Sequence, residues 1–222
     1  MYSDPRDSPL GRVTGVAYWY LVVTLLQALA ASPGLIVLMF VDRSPSNAPL
    51  AGLCLLPLGP ALSAALYSLN GRESAEDLSP ARSFWRGYRL NAFDVLRLWS
   101  PAMLVLVVIA LGLANLDAAG MPAGYGAVLA VVALLVVIWS LHAMVIASLF
   151  SFRTRDTARL AAHYLGRLPL VSLGTASLLV LAGVVVVVTF DTVLVLLGGL
   201  WTGLLLTTAH RLVTDVAENF VA

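Results

Sequence analysis

The chain has 222 residues, of which 60% are hydrophobic and 11% are charged, and its formal net charge is +1. An average soluble domain has about 25% charged residues, so this composition excludes a soluble globular fold and favours lipid as the main solvent. All 13 basic residues are arginines. The absence of lysine excludes Schiff-base chemistry and a phosphate-binding P-loop.

Six apolar segments are long enough to cross a bilayer, because a membrane-spanning helix needs roughly 20 apolar residues. They cover about residues 17–41, 48–69, 100–115, 125–150, 168–189 and 192–209. The last two come from one apolar run whose only charge is Asp191. An acid at the bilayer centre costs about 2.5–3.5 kcal/mol, so we place Asp191 in a tight turn outside the membrane, where it caps the last helix.

The first segment has an alternative interpretation as a cleaved signal peptide. Arg6 and Arg12 would form its basic start, and residues 28–30 (Ala-Leu-Ala) resemble a cleavage site. However, the apolar run continues to Phe40 and acidic residues dilute the basic start. We therefore expect a retained span; cleavage would leave the orientation of the other five unchanged.

The arginines are distributed unevenly between the two sides of the predicted bundle. Twelve lie in the tails and in the loops after the second and fourth spans, and only Arg43 lies on the opposite side. Cytoplasmic loops of membrane proteins carry an excess of arginine and lysine. The sequence therefore predicts a multi-pass protein with both termini in the cytoplasm and no external domain.

The loop before the third span is predicted to form an amphipathic helix. Ser79 is a good N-cap and Pro80 suits the first helical position. One face carries the arginines Arg82, Arg86, Arg89 and Arg97. The opposite face carries the aromatic residues Phe84, Trp85, Tyr88 and Trp99. This pattern is typical of a helix at the membrane interface, with its rings at the headgroup boundary.

The loop before the fifth span repeats the pattern over about residues 154–168. Arg155, Arg159 and Arg167 recur at helical spacing, and Tyr164 belongs to the apolar stripe. Two interpretations of the seven arginines stay open and are compatible. They bind lipid headgroups and fix the topology, or they dock a cytoplasmic or membrane partner.

The second span is predicted to be kinked or broken. Pro57 and Pro60 each remove a helix hydrogen bond, and Gly59 allows another backbone to approach. Broken helices sometimes line a substrate path. More often a kink aids helix packing, which is the interpretation we favour here.

Several polar or small residues fall inside the other spans. His142 and Gln27 are each expected to form a hydrogen bond to a neighbouring helix, and a proton relay at His142 is the alternative. Gly199 and Gly203 form a GxxxG pattern, which favours close helix packing.

The sequence contains no recognised catalytic motif. It has no HExxH, no Cys/His cluster and no GxSxG elbow, and its single cysteine, Cys54, is expected to be a buried, inert thiol. We therefore expect no enzymatic activity, no cofactor, no metal ion and no nucleic-acid partner. The predicted fold is a single all-α membrane domain over residues 1–222, with about six spans and two cytoplasmic amphipathic helices.

Two stretches resemble the YesL family, also called domain of unknown function 624. They are residues 56–67 (LPLGPALSAALY) and residues 84–91 (FWRGYRLN). The resemblance implies a bacterial inner-membrane protein without an established biochemical activity, whose relatives' genes often accompany carbohydrate ABC importers.

The resemblance and the arginine helices together lead to two hypotheses on function. The first is a non-enzymatic accessory or scaffold protein whose partners are the lipid bilayer and ABC importer subunits. The second is a small autonomous transporter or channel with a path near Gly59, Pro60 and His142. Self-association into a homo-oligomer is left open.

Overall fold

The computed structural model describes residues 9–42, 44–72, 79–188 and 191–220, and the regular structure within these ranges is helical. The helices are α1 (Pro9–Met39), α2 (Ala48–Cys54), α3 (Leu58–Asn70), α4 (Pro80–Ala114), α5 (Ala123–Leu149), α6 (Thr154–Arg167), α7 (Pro169–Val188), α8 (Asp191–Leu196), α9 (Gly198–Thr208) and α10 (His210–Phe220). Arg6, Arg43 and part of the predicted turn before Asp191 lie outside the described residues, as do the side chains of Arg12 and Asp191.

Within the described residues, four helices are long and apolar enough to cross a membrane: α1 from Val13, α4, α5 from Gly124, and α7. A fifth crossing results if α3 is joined to α2 and the short turn of 3-10 helix before it, which meet at a bend of 41°. The all-α membrane fold is thus confirmed at this level. The predicted sixth span is divided at Leu197 into α8 and α9, and neither is long enough to cross alone.

The first amphipathic helix and the third span are one helix, not two. α4 runs for 35 residues without a break and has Pro101 inside it. At 1.5 Å per residue it is about 52 Å long, compared with a hydrocarbon core of about 30 Å. The amphipathic helix was predicted to lead directly into the third span, and the structure joins the two without a break, because hydropathy marks where a helix leaves the apolar region and not where it ends. Pro101 is exposed, so its ring does not disturb the packing between helices.

The second amphipathic helix is present as α6, at the predicted position. Its buried face consists of Thr157, Ala161 and Tyr164. The last helix was not predicted: the residues after 209 were expected only as a cytoplasmic tail, whereas α10 buries Leu212 and Val216. These two residues are four apart, which is the spacing that places side chains on one helix face.

The core is concentrated at the end of the bundle that carries the arginines. In α5 the described residues before Ile138 are exposed or half-buried, whereas residues 142–148 are all buried. In α7 the buried residues, Val171 and Thr175, lie in the first two turns. Tight packing at this end holds α4, α5 and α6 in fixed positions, and these elements carry the arginine cluster described below.

Candidate functional site

The predicted break in the second span is confirmed, and Trp99 of α4 stabilises it. α2 ends at Cys54 and α3 begins at Leu58. A helix end leaves backbone carbonyls without intrahelical partners, and the Trp99 indole N–H donates to the Leu55 carbonyl at 3.1 Å. A methyl group placed on Gly59 would lie 2.7 Å from Trp99 Cδ1. The break therefore serves close packing between α3 and α4.

The second stretch of the family pattern packs against the first. Phe84 is fully buried in a cluster with Ala64, Ala65 and Val23. Gly87 faces the ring of Tyr67 in α3. Asn91 Nδ2 donates to the carbonyl of Ser148 at the end of α5, at 3.0 Å. The two stretches that carry the family resemblance therefore form one helix–helix interface.

This packing corrects the prediction that the aromatic residues lie at the headgroup boundary. Phe84, Trp99 and Tyr164 are buried within the protein, because their faces of α4 and α6 pack against neighbouring helices. Tyr88 is half-buried against the same cluster as Phe84. Of the five aromatic residues, only Trp85 is exposed, with 39% of its surface accessible. The amphipathic pattern in α4 and α6 thus indicates a face that packs against other helices of the protein and not a face that contacts lipid.

Three of the seven predicted arginines come together in one pocket, which we call the arginine pocket. It lies between α4 and the start of α6 and has a volume of about 630 Å³. Its lining residues are Asp94, Arg97, Phe152, Arg153, Thr154, Arg155, Asp156 and Arg159. Four arginines thus face two aspartates. The positive end of the α6 dipole adds to this charge, because α6 begins at Thr154.

Among the residues that the structure describes, most of the guanidinium groups in the arginine pocket have no carboxylate partner. Arg97 pairs with Asp94 at 3.3 Å and lies over the ring of Phe93, 4.8 Å from its centre. Within the described residues, Arg155 and Arg159 form no ion pair, and both are exposed. Arg153 and the two aspartates were not predicted as part of the site. Arg153 and Asp156 lie close to Arg155 in the sequence, and this proximity is the signal that could have identified them.

The other four predicted arginines lie outside the arginine pocket. Arg82, Arg86 and Arg89 are exposed along the first half of α4, and Arg167 ends α6 near His163 at 3.5 Å. The predicted N-cap at Ser79 is confirmed, since its side chain accepts from the Arg82 backbone N–H at 3.3 Å. These arginines therefore extend the positive surface beyond the pocket.

α6 is anchored to α10 by a partly buried hydrogen bond that sequence analysis missed. The Tyr164 hydroxyl donates to Asp215 Oδ2 at 2.6 Å. Burial and the neighbouring carboxylate raise the pKa of Tyr164 to about 12. The Trp139 indole of α5 also donates to the Ala158 carbonyl at 3.0 Å. Both bonds fix the helix that carries Arg155 and Arg159.

The residues predicted for a transport path do not line the central cavity of the bundle. A central cavity of about 350 Å³ lies among the spans, and Pro57, Gly59, Pro60 and His142 are not among its lining residues. His142 is fully buried and Nε2 lies 3.4 Å from the Thr175 hydroxyl in α7, as expected for a contact between helices. Within the described residues, no group of His, Cys, Asp or Glu side chains is arranged to hold a metal ion.

The predicted helix contacts of Gln27 and of the GxxxG pattern are confirmed. Thr202 Oγ1 of α9 lies 3.2 Å from Gln27 Oε1 of α1. The backbone N–H of Gly199 donates to Thr24 Oγ1 at 3.0 Å, and Gly203 lies against the ring of Tyr20. α9 therefore packs antiparallel along the middle of α1.

Comparison with known proteins agrees with the family pattern. Residues 16–113 match the family model described as "Protein of unknown function, DUF624". No curated protein and no solved structure matches the chain. The match contains both stretches of the α3–α4 interface but ends before α5 and α6. The resemblance to the family of domain of unknown function 624 is thereby confirmed over residues 16–113.

Proposed function

We propose that this protein is a non-enzymatic accessory subunit of a membrane complex, and that its arginine pocket docks an acidic segment of the partner. The observation that carries the proposal is the convergence of Arg97, Arg155 and Arg159 from two helices on one pocket. A guanidinium group binds a carboxylate through two parallel hydrogen bonds, which gives both strength and orientation. Exposed arginines on a rigid support suit this role better than catalysis.

The rigidity of the support favours docking over a loose attraction to the membrane surface. Arg155 and Arg159 project from the face of α6 opposite to the buried Thr157, Ala161 and Tyr164. Their helix is held on both sides by hydrogen bonds to α5 and α10. Arginines whose backbone is fixed lose less freedom when they bind a partner.

We place the protein in the bacterial cytoplasmic membrane with both termini and the arginine pocket on the cytoplasmic side. The support is the excess of arginines on that side. We also propose six crossings, with α8 and α9 together forming the last. The antiparallel packing of α9 along α1, from Gly203 beside Tyr20 to Gly198 beside Gln27, favours this assignment.

The partner that the family resemblance suggests is a carbohydrate ABC importer. Affinity purification from native membranes in gentle detergent, followed by mass spectrometry, tests this directly. Stoichiometric recovery of importer permease or ATPase subunits is the expected result. Recovery of the protein alone, or only with further copies of itself, would contradict the proposed accessory function.

A pair of double variants tests the docking site. Arg155→Glu with Arg159→Glu reverses two charges inside the arginine pocket, and we expect it to abolish recovery of the partner. Arg86→Glu with Arg89→Glu makes the same charge change on exposed residues outside the pocket, and we expect most of the partner to be retained. If only the second pair loses the partner, docking occurs on α4 and not in the pocket.

The alternative is an autonomous transporter or channel. It predicts solute flux in liposomes that contain this protein alone, blocked by His142→Leu. We rank it second, because His142 does not line the central cavity.

A further inference from the structure

The central cavity is lined by most of the helices and is almost wholly apolar. Residues from α1, α3, α4, α5, α7, α8 and α9 line it, and they include Ala31, Trp99, Met144, Ala182 and Trp201. Its volume of about 350 Å³ falls within the range of ligand pockets, which is roughly 300–1,000 Å³. An apolar cavity of about 150 Å³ is already large enough to hold benzene.

One polar side chain, that of Gln27, lines this cavity at the middle of α1. Gln27 is only 7% exposed, and within the described residues its amide has a single partner, Thr202 Oγ1. A primary amide offers two N–H donors and one carbonyl acceptor. A buried polar group without a partner costs about 1–3 kcal/mol, so the unused part of this amide favours a ligand that supplies a hydrogen bond.

The hydrogen bonds of the Thr202 hydroxyl determine which polar groups of the Gln27 amide remain free. Thr202 Oγ1 also lies 2.8 Å from the Gly198 carbonyl, and a hydroxyl has one proton to donate. If that proton goes to Gly198, the Gln27 amide must be turned so that its nitrogen faces Thr202; it then donates one N–H to Thr202 and leaves its carbonyl and its other N–H free. If the proton goes to Gln27 Oε1, both amide N–H groups are free. A hydroxyl group on a ligand is both donor and acceptor and satisfies either arrangement.

The outer wall of the cavity is formed by α7, which is the most lipid-exposed of the four long spans. Only 11% of the apolar 18-residue stretch of α7 is buried. Ala182 and Val186 line the cavity from this helix.

We propose that the central cavity binds a neutral, mainly hydrocarbon molecule that carries one hydroxyl group, with that hydroxyl bonded to Gln27. At about 30 Å³ per water-sized group, the cavity has room for roughly twelve heavy atoms, the size of a medium-chain alcohol. This site shares no lining residue with the arginine pocket, and it stands whether or not that pocket docks a partner.

A brominated alcohol tests the proposal, because bromine quenches tryptophan fluorescence at contact and Trp99 and Trp201 line the cavity. The probe is an undecanol with bromine at its far end, added to the protein in phosphatidylcholine vesicles. The expected result is saturable quenching above the linear background from probe dissolved in lipid, and a smaller saturable part in Trp201→Phe. Linear quenching alone in the wild-type protein would overturn the proposal.

Matched variants on α7 locate the site. Ala182→Phe fills the cavity from its outer wall and should abolish the saturable quenching. Gly183→Phe adds the same bulk at the next position, where the backbone faces open space, and should retain it. Equal saturable quenching in both variants would place the probe elsewhere and overturn the proposal.

Gln27→Leu tests the hydrogen bond. Loss of one hydrogen bond should weaken binding of the alcohol about threefold to tenfold. The bromoalkane of the same length, which lacks the hydroxyl, should bind wild type and Gln27→Leu alike. If both probes lose affinity equally, Gln27 shapes the cavity but does not recognise a hydroxyl, and the proposed ligand class is wrong.

Discussion

Gly87 of α4 lies directly against the ring of Tyr67 of α3. A methyl group on Gly87 would lie 2.7 Å from Cδ1 of Tyr67 and 2.8 Å from its Cγ. The contact joins the two stretches that carry the family pattern, so the glycine is required by packing and not by backbone conformation.

Gly87→Ala should therefore destabilise the protein. Overpacking of a tight contact costs about 1–3 kcal/mol of the free energy of unfolding, and the apparent Tm in mild detergent should fall. Gly183→Ala on α7 is the matched control, since nothing lies within 4 Å of the added group. It should be neutral or slightly stabilising, because alanine favours a helix over glycine by about 0.8–1.0 kcal/mol. Equal Tm values for the two variants would show that the Tyr67 contact is not tight.

Trp99→Phe should weaken the junction between α2 and α3. The variant removes the indole donor from the Leu55 carbonyl, which keeps the Leu58 backbone N–H as a partner, so the cost should be that of one net hydrogen bond, about 0.5–1.5 kcal/mol. Trp85→Phe removes an indole from the same helix at an exposed position and should change stability by no more than about 0.5 kcal/mol. Thermal unfolding of both variants in the same detergent measures the difference, and equal losses would argue against the role assigned to Trp99.

The Tyr164–Asp215 bond predicts a loss of stability at alkaline pH. The pKa of Tyr164 is about 12 in the folded protein and 10.0 as the reference value. A group with a raised folded pKa contributes stability that is complete below the unfolded pKa and is lost as pH rises through the folded one. The bond should therefore contribute fully below pH 10 and weaken between about pH 10 and 12.

Tyr164→Phe provides the comparison for that pH profile. The variant should be less stable at neutral pH by about 1.5–3 kcal/mol, the range for a hydrogen bond to a charged group. It should also lose less stability than the wild-type protein between about pH 10 and 12. A decline of the same size in both proteins would assign the alkaline transition to other groups.

Cysteine labelling tests the proposed orientation. Cys54 is buried and is the single cysteine, so Cys54→Ala gives a background without thiols. Ala118→Cys lies in the exposed turn before α5, and Ser151→Cys lies in the exposed segment after it. A membrane-impermeant maleimide should label Ala118→Cys in intact cells and Ser151→Cys only after permeabilisation. The reverse pattern would invert the topology and place the arginine pocket outside the cell.

Local signals in the sequence were sufficient for much of the fold. Apolar length identified the long helices, Ser79 and Pro80 marked the start of α4, and the Pro-Leu-Gly-Pro pattern at residues 57–60 marked the break before α3. Each of these features depends on residues within a few positions of each other. Gly199 and Gly203 likewise indicated close packing, although not that α1 is the partner.

Features that depend on distant residues were not predictable from one sequence. Tyr164 and Asp215 are 51 positions apart, and Asn91 and Ser148 are 57 apart. Nothing local identifies such pairs. The aromatic face of α4 shows the same limit, since Phe84 would give the same periodic pattern whether it faced lipid or another helix. The arginine pocket and the cavity beside Gln27 both arise only when separate helices are brought together.

The length of α4 has a mechanical consequence. About 20 Å of this helix extends beyond the hydrocarbon layer if the remainder crosses it. The helix is continuous between Arg97 and Trp99, and the Trp99 indole donates a hydrogen bond to Leu55 at the C-terminal end of α2. A force that a bound partner applies to the part of α4 outside the hydrocarbon layer would therefore be transmitted along the helix to the broken helix inside the membrane.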